Sequence, residues 1–376
     1  MPVGQCLWRL ALAALVALPP CAEAGSANDV RARDMAAART SIQVEAARYG
    51  GWAGWYEQLA PWRARWARHL DTAEDLGKGV IAGADGFLFL RTWEAYVLEP
   101  DYIYDADGSG PSTALATLID LDRQLGKRGI HLLVAPVPAR SEIYPEKLLP
   151  GAPPPAPVAP QRLQFIEALL ENNVEAIDLL PALLAGKGAG EVSLKNDTHW
   201  TSYGASLAAR AIADRLARYD WERLYSRPPA ELTATEIDYD RSWSIYDRLD
   251  PEHRDRYPAG PVPVSQVRHS DGRPYAPEPD APLLLTGDSF LFFYAGVQAD
   301  VAAHLARNLG YPVATLPTGG GQAARVARSF ARLPAEQLAR HRVVVFIFAA
   351  PYLRFENWET APLSAHPIPA GQPPGD

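Results

Sequence analysis

Pro282-Leu283-Leu284-Leu285-Thr286-Gly287-Asp288-Ser289-Phe290 joins an apolar run to a reactive side chain. Leu283 to Thr286 reads as a buried strand, and Ser289 then sits on the turn leaving it. That is where α/β folds place their reactive groups. Far earlier in the chain, Asp197-Thr198-His199-Trp200 supplies a carboxylate and an imidazole. In an extended segment, side chains at i and i+2 share a face, so Asp197 and His199 are expected to line one cleft while Thr198 points away. An acid that orients an imidazole, with a hydroxyl the imidazole can deprotonate, is the equipment of a serine hydrolase or acyltransferase.

Working outward, strand and helix signals alternate. Residues 112–128 are expected to be helical, with Gly129 as a stop, and Ile130 to Val137 forms an apolar strand. Pro150 to Pro160 is a proline-rich loop, Gln161 to Asn172 a helix, and Val174 to Leu179 a second strand. A glycine-rich loop over 186–190 precedes Asp197. Thr201 is a plausible cap for a helix over Ser202 to Tyr219, with Leu207, Ile212 and Leu216 on its buried side. Residues 220–280 are polar, show no clear period, and read as an insertion or covering subdomain. Alternation resumes with Leu283 to Thr286, a helix over 296–309, a strand over Tyr311 to Leu316, helix over 322–341, and a strand over Val343 to Ala349. This order predicts a parallel sheet flanked by helices.

The ends have a different character. Arg9, the apolar run Leu10 to Leu18 and Ala22-Glu23-Ala24 read as a cleaved signal peptide over 1–24. Residues 25–79 are Ala-, Arg- and Trp-rich and predict an N-terminal helical segment. The main domain is expected over 80–361, with a disordered Pro/Gly-rich tail over 362–376. Both cysteines, Cys6 and Cys21, fall in the signal segment, so a mature chain has no disulfide or thiolate metal site. A net charge of −8 without a basic stripe argues against nucleic acid.

Two rival chemistries fit the motifs poorly. A metallophosphoesterase also uses Asp-x-His, but needs Gly-Asp-x-x-Asp and Gly-Asn-His, and no Asn-His pair exists here. An α/β-hydrolase elbow requires Gly two residues after the serine, where this chain has Leu291. No metal and no cofactor are expected.

The residues resemble the alginate O-acetyltransferase (AlgJ/AlgX-like) family of periplasmic SGNH-hydrolase-like proteins. The likeness rests on four segments in order: Asp85-Gly86-Phe87-Leu88-Phe89, Pro136-Val137-Pro138-Ala139-Arg140 with Ile143-Tyr144-Pro145-Glu146, the Asp197 motif, and Gly287-Asp288-Ser289-Phe290. It implies an SGNH-like α/β fold in circularly rearranged motif order, with Asp197 as orienter, His199 as base and Ser289 as nucleophile. It also implies a polysaccharide acceptor, a membrane-bound acyltransferase as acetyl donor, a synthase or export complex as a further partner, and a periplasmic or inner-membrane-associated location. The family's last strand leads into a polar segment with Glu and Arg before Tyr-Leu. Here it reads Phe346-Ile347-Phe348-Ala349-Ala350-Pro351-Tyr352-Leu353, leaving Arg354 as the candidate replacement.

Backbone N–H groups of Ser289, Gly319 and Gly320 are the expected oxyanion donors. Trp200, Tyr203, Tyr294 and Tyr352 are the expected sugar contacts, with Arg354 as a further substrate contact and Arg140, Lys147, Lys195 and Arg325 for an anionic polymer. The overall acidity keeps a neutral, cellulose-like polymer open. Two other readings use the same features: a carbohydrate acetyl esterase that admits water, and a non-catalytic glycan-binding or assembly protein.

Overall fold

The computed structural model describes residues 27–363 apart from 100–101, 105–109, 152, 241–242, 258, 319–321 and 355–357. The signal segment and most of the tail therefore lie outside the described residues. Helices α1 (Ala27–Arg48) and α2 (Gly51–Thr72) lead the chain. On α2, Trp55, Leu59, Trp62, Trp66 and Leu70 recur every three or four residues and form one buried stripe. None of the described helices is long and apolar enough to cross a membrane.

Strands β1 (Val80–Ala82) and β2 (Leu88–Leu90) pair antiparallel. Asp85 and Gly86 between them take φ of 56° and 79°, the left-handed backbone that a tight hairpin needs. Helix α3 (Thr113–Gly126) is capped by Ser112 and followed by strand β3 (His131–Val137). Helix α4 (Pro160–Glu171), strand β4 (Glu175–Ala176) and helix α5 (Ser202–Arg215) follow. Thr201 caps α5 by accepting the Gly204 N–H at 3.0 Å. Strands β5 (Leu232–Tyr239) and β6 (Val262–His269) form a separate antiparallel hairpin. The last part holds β7 (Leu283–Gly287), the short helix α6 (Ser289–Phe292), α7 (Val301–Leu309), β8 (Ala314–Pro317) and β9 (Val343–Ala349).

Among the described residues, five strands make the central sheet in the order β4-β3-β9-β7-β8, all parallel. Strands β7 and β9 are buried throughout, as a parallel sheet covered on both faces requires. From β3 the chain moves outward to β4; from β7 it moves outward the other way to β8. The last strand, β9, inserts between these halves. Crevices form at the carboxyl ends of strands where the order reverses, and here that is the mouth of β3, β9 and β7.

Several elements differ from their sequence reading, each for a local reason. The strand expected over 174–179 pairs only at 175–176, because the Asp178 carboxylate accepts the Leu180 N–H at 2.9 Å and turns the chain into a helix. The helix expected over 296–309 starts at Val301, where the Asp300 side chain takes the Ala303 N–H. The 322–341 region breaks at Pro334. Residues 220–280 contain the regular β5–β6 ladder. It was hidden because β5 alternates between half-buried and exposed residues and carries no apolar face strong enough to read.

Gly287 lies at the end of β7, where an added Cβ would meet the Ile347 carbonyl oxygen at 2.1 Å. That neighbour is backbone of the central strand and cannot rotate away. Gly287→Ala is expected to lower unfolding stability by about 2 kcal/mol, measured by urea denaturation. An unchanged midpoint would contradict the close packing of β7 on β9.

Candidate active site

The loop carrying Asp197 and His199 is held in shape before any chemistry is considered. Leu194 N–H donates to the His199 carbonyl at 3.0 Å, and Ser193 bridges to Trp200. Arg140, just beyond the end of β3, reaches into this loop. Its guanidinium donates to the Leu194 and Asp197 carbonyls at 2.5 and 2.8 Å and to the Leu88 carbonyl. It lies 4.5 Å from the Phe89 ring centroid.

Asp197 is buried, and three N–H groups converge on it. Oδ1 accepts the His199 backbone N–H at 3.1 Å and faces His199 Nδ1 at 2.6 Å; Oδ2 accepts the Ser244 backbone N–H at 2.5 Å. Burial pushes this carboxyl up, but the hydrogen bond and charge of His199 and the N–H groups of Ser244 and His199 outweigh it, and the group is held below the usual carboxylate range. The segment is a bend, not the extended run expected, because Asp197 closes on the N–H two residues ahead. Thr198 consequently borders the pocket beside the site instead of pointing away.

With Nδ1 protonated toward Asp197, His199 Nε2 faces the Ser289 hydroxyl at 2.8 Å. Phe293 stacks on the imidazole at 4.0 Å between centroids, and Phe290 lies at 4.6 Å. Two rings thus limit how the base can turn. Ser289 is exposed and is the first residue of α6, so no carbonyl within the helix takes its N–H. Asp288 caps this helix. Its side chain accepts the Phe290 N–H at 2.9 Å and the Ala349 N–H at 2.7 Å, fastening the serine turn to the end of β9. Burial raises Asp288 to about 7, against the opposing pull of those two N–H groups.

Asp197, His199 and Ser289 are therefore brought together. The expected sugar contacts largely are not. Trp200 is 3% exposed and packs edge-on to Phe290; Tyr294 is fully buried, with its hydroxyl donating to the Trp200 carbonyl. Tyr203 is half-buried and donates to the Gly186 carbonyl on the far side of the loop. Trp200 and Tyr294 therefore belong to the core although each is close in sequence to a site residue. Arg140 is likewise no receptor for a polymer anion, since it is 5% exposed and spends its donors on backbone carbonyls. Tyr352 remains beside the site, edge-on to Trp93 at 5.8 Å. Arg354 points to Glu99 and the Thr92 carbonyl. Gly319 and Gly320 lie outside the described residues.

Sequence reasoning missed Ser244, Phe293, Trp93 and Glu94. A backbone donor carries no residue signature, so Ser244 could not have been found. Trp93 and Glu94 line a small pocket beside the serine turn, together with Pro138, Arg140, Phe290 and Pro351. Burial raises Glu94 to about 7, opposed by the charge of Arg140 and by Ser141.

A domain family described as "SGNH hydrolase-like domain, acetyltransferase AlgX" matches residues 80–350. The chain is 32% identical over 135 residues to the probable alginate O-acetylase AlgJ of Pseudomonas aeruginosa, covering 36% of this chain and 32% of that protein. The corresponding protein of Pseudomonas putida is 31% identical over 179 residues, 43% of this chain and 46% of its own. The matched stretch thus spans a third to a half of these relatives. Among solved structures, the O-acetyltransferase domain of Pseudomonas putida AlgJ superposes with a TM-score of 0.59 at 24% identity, covering 74% of this chain and 93% of that one. Pseudomonas aeruginosa AlgX gives 0.54 at 18% identity, covering 72% and 61%. At these identities the structural likeness concerns the fold.

Two outcomes test the scaffold of the site. Ser244→Pro removes the N–H that helps hold Asp197 ionised, so the Asp197 carboxyl should titrate at higher pH, while Ser244→Ala leaves it unchanged; carbon-13 NMR of the carboxyl reads this directly. Arg140→Lys cannot serve three carbonyls in a fixed fork. It is expected to cost about 1–3 kcal/mol of stability, seen in chemical denaturation, with a normal midpoint contradicting the assigned role.

Proposed function

Because the chain belongs to the SGNH hydrolase-like AlgX acetyltransferase family, we propose that it moves an acetyl group through Ser289 onto hydroxyls of an alginate-like polysaccharide. The observation that carries this reading is the 2.8 Å approach of His199 Nε2 to Ser289 Oγ, with Asp197 behind Nδ1. In the first step Ser289 Oγ attacks the acetyl carbon while its proton passes to Nε2. The C–O bond to the donor breaks, and the donor oxygen takes that proton. In the second step a sugar hydroxyl gives its proton to Nε2 and attacks the acetyl-enzyme carbon. The ester bond to Ser289 breaks, and the proton returns to Oγ. Asp197 stabilises the imidazolium formed in each step. The Ser289 backbone N–H, free at the helix start, is the proposed donor to the developing oxyanion.

The signal-like segment over 1–24 supports a periplasmic location. Acetyl-CoA is not available there, which supports a membrane-bound acyltransferase as donor, with a polysaccharide synthase or export complex close by. A cellulose-like acceptor fits the acidic chain as well as alginate does. The exposure of Ser289 also favours some hydrolysis, because water can replace the sugar.

The mature protein should hydrolyse small acetyl esters slowly and, given polysaccharide, transfer acetyl to it. Ser289→Ala should lower both activities by about a thousandfold or more, and His199→Ala by a similar factor, because residues that act as a unit are not additive. Undiminished turnover in Ser289→Ala would sink the nucleophile assignment. Hydrolysis without transfer to any tested glycan would move the esterase reading ahead.

A further inference from the structure

We propose that the pocket beside Ser289 receives the acyl chain and that Trp93 sets its length, limiting the enzyme to acetyl. This rests on the acyl-enzyme reading above. The pocket opens at the carboxyl ends of β3 and β9, next to the serine turn. It is lined by the apolar Trp93, Pro138, Phe290 and Pro351 and, among its polar residues, by Glu94 and Arg140. Ser289 itself does not line the pocket, but Phe290, which directly follows it, and Thr198, which precedes His199, do, so the pocket adjoins the proposed acyl-enzyme. Trp93 stacks on Phe290 at 6.3 Å between centroids and is wedged edge-on against Tyr352 at 5.8 Å. The indole is therefore braced on two sides and cannot swing out cheaply. The cavity volume is about 10 Å³, room for roughly one water-sized group. A methyl is of that size.

The polar lining adds a second restriction. Glu94 and Arg140 are 3% and 5% exposed, and Glu94 Oε2 and Arg140 Nε have no hydrogen-bond partner among the described residues. A longer alkyl chain would have to lie against these polar groups instead of apolar wall, which gains less than apolar burial does. Size and polarity thus select against propionyl and butyryl together. Trp93 touches the acyl chain and not the reacting atoms, so it governs specificity without taking part in proton transfer.

The test compares p-nitrophenyl acetate, propionate and butyrate with the full mature chain, reading kcat/KM ratios. The wild type should favour acetate over butyrate by about tenfold or more, the scale of discrimination expected for surplus methylenes in a tight pocket. Trp93→Ala should narrow that ratio by about tenfold through a gain on butyrate. Trp93→Phe, which keeps the packing against Phe290, should narrow it less and first for propionate. The ratio is insensitive to the fraction of folded protein, and Trp93→Phe decides the matter if the alanine variant does not fold. An unchanged ratio in an active variant overturns the pocket assignment alone. A wild type inert to all three esters overturns the acyl-enzyme reading and the pocket with it.

Discussion

A positive charge buried without a carboxylate at salt-bridge distance is costly, and Arg140 shows how this molecule makes one tolerable. Its guanidinium is surrounded by carbonyl oxygens of Leu88, Leu194 and Asp197 and lies over Phe89. Burial lowers its pKa to about 10, and the more distant charges of Glu94 and Asp197 counter that pull. What matters is where those carbonyls come from. One belongs to the early hairpin strand β2 and two to the loop that presents the acid and imidazole, while the arginine itself leaves the end of β3. One side chain therefore ties the histidine loop to both the hairpin and the end of β3. Backbone bonds from Leu88 to Lys195 and from Tyr246 to Asn196 share in that anchorage.

The second constraint is the carboxylate of Asp197. Its two oxygens are used by different parts of the chain, Oδ1 by its own loop and Oδ2 by Ser244 in the excursion that holds the β5–β6 hairpin. Trp243, fully buried beside Phe293, pins that excursion in place. The excursion is thus part of the support of the site and not a decoration on it. Phe293 in turn stacks on His199, so the aromatic cluster under the hairpin and the orientation of the imidazole are one packing problem.

The alternation of strands and helices was legible because a parallel sheet buries both faces, and β3, β7 and β9 read as unbroken apolar runs. Asp197, His199 and Ser289 were legible because few patterns need those three residue types around a strand end. Their supports were not. Ser244 acts through its backbone, which no residue identity announces. Arg140 looked like a surface cation because sequence does not reveal that a loop of carbonyls waits for it. Trp200, Tyr203 and Tyr294 looked like ligand contacts because nearness to a motif in sequence was taken for nearness to its open side. The packing shows why that fails: Trp200 and Tyr294 are buried and joined to each other through the Tyr294 hydroxyl and the Trp200 carbonyl. The short β4 and the delayed start of α7 reflect Asp178 and Asp300 taking local N–H groups, a competition decided within a few residues and invisible to periodicity.

The position of β9 bears on how the chain can be made. This strand is the last of the sheet in sequence, and it lies between the two halves, paired along β3 on one side and β7 on the other. Until residues 343–349 have emerged, β4-β3 and β7-β8 have no strand to join them, and their inner edges stay open. Open edges invite pairing with other chains, and contacts between distant parts of a sequence form slowly. A ribosome or translocation channel delivering this polypeptide from its amino end therefore releases a long, unclosed intermediate. The serine turn, tied to Ala349 through Asp288, takes its final shape only as β9 arrives. Assembly of the candidate site in this way waits for residues 343–349.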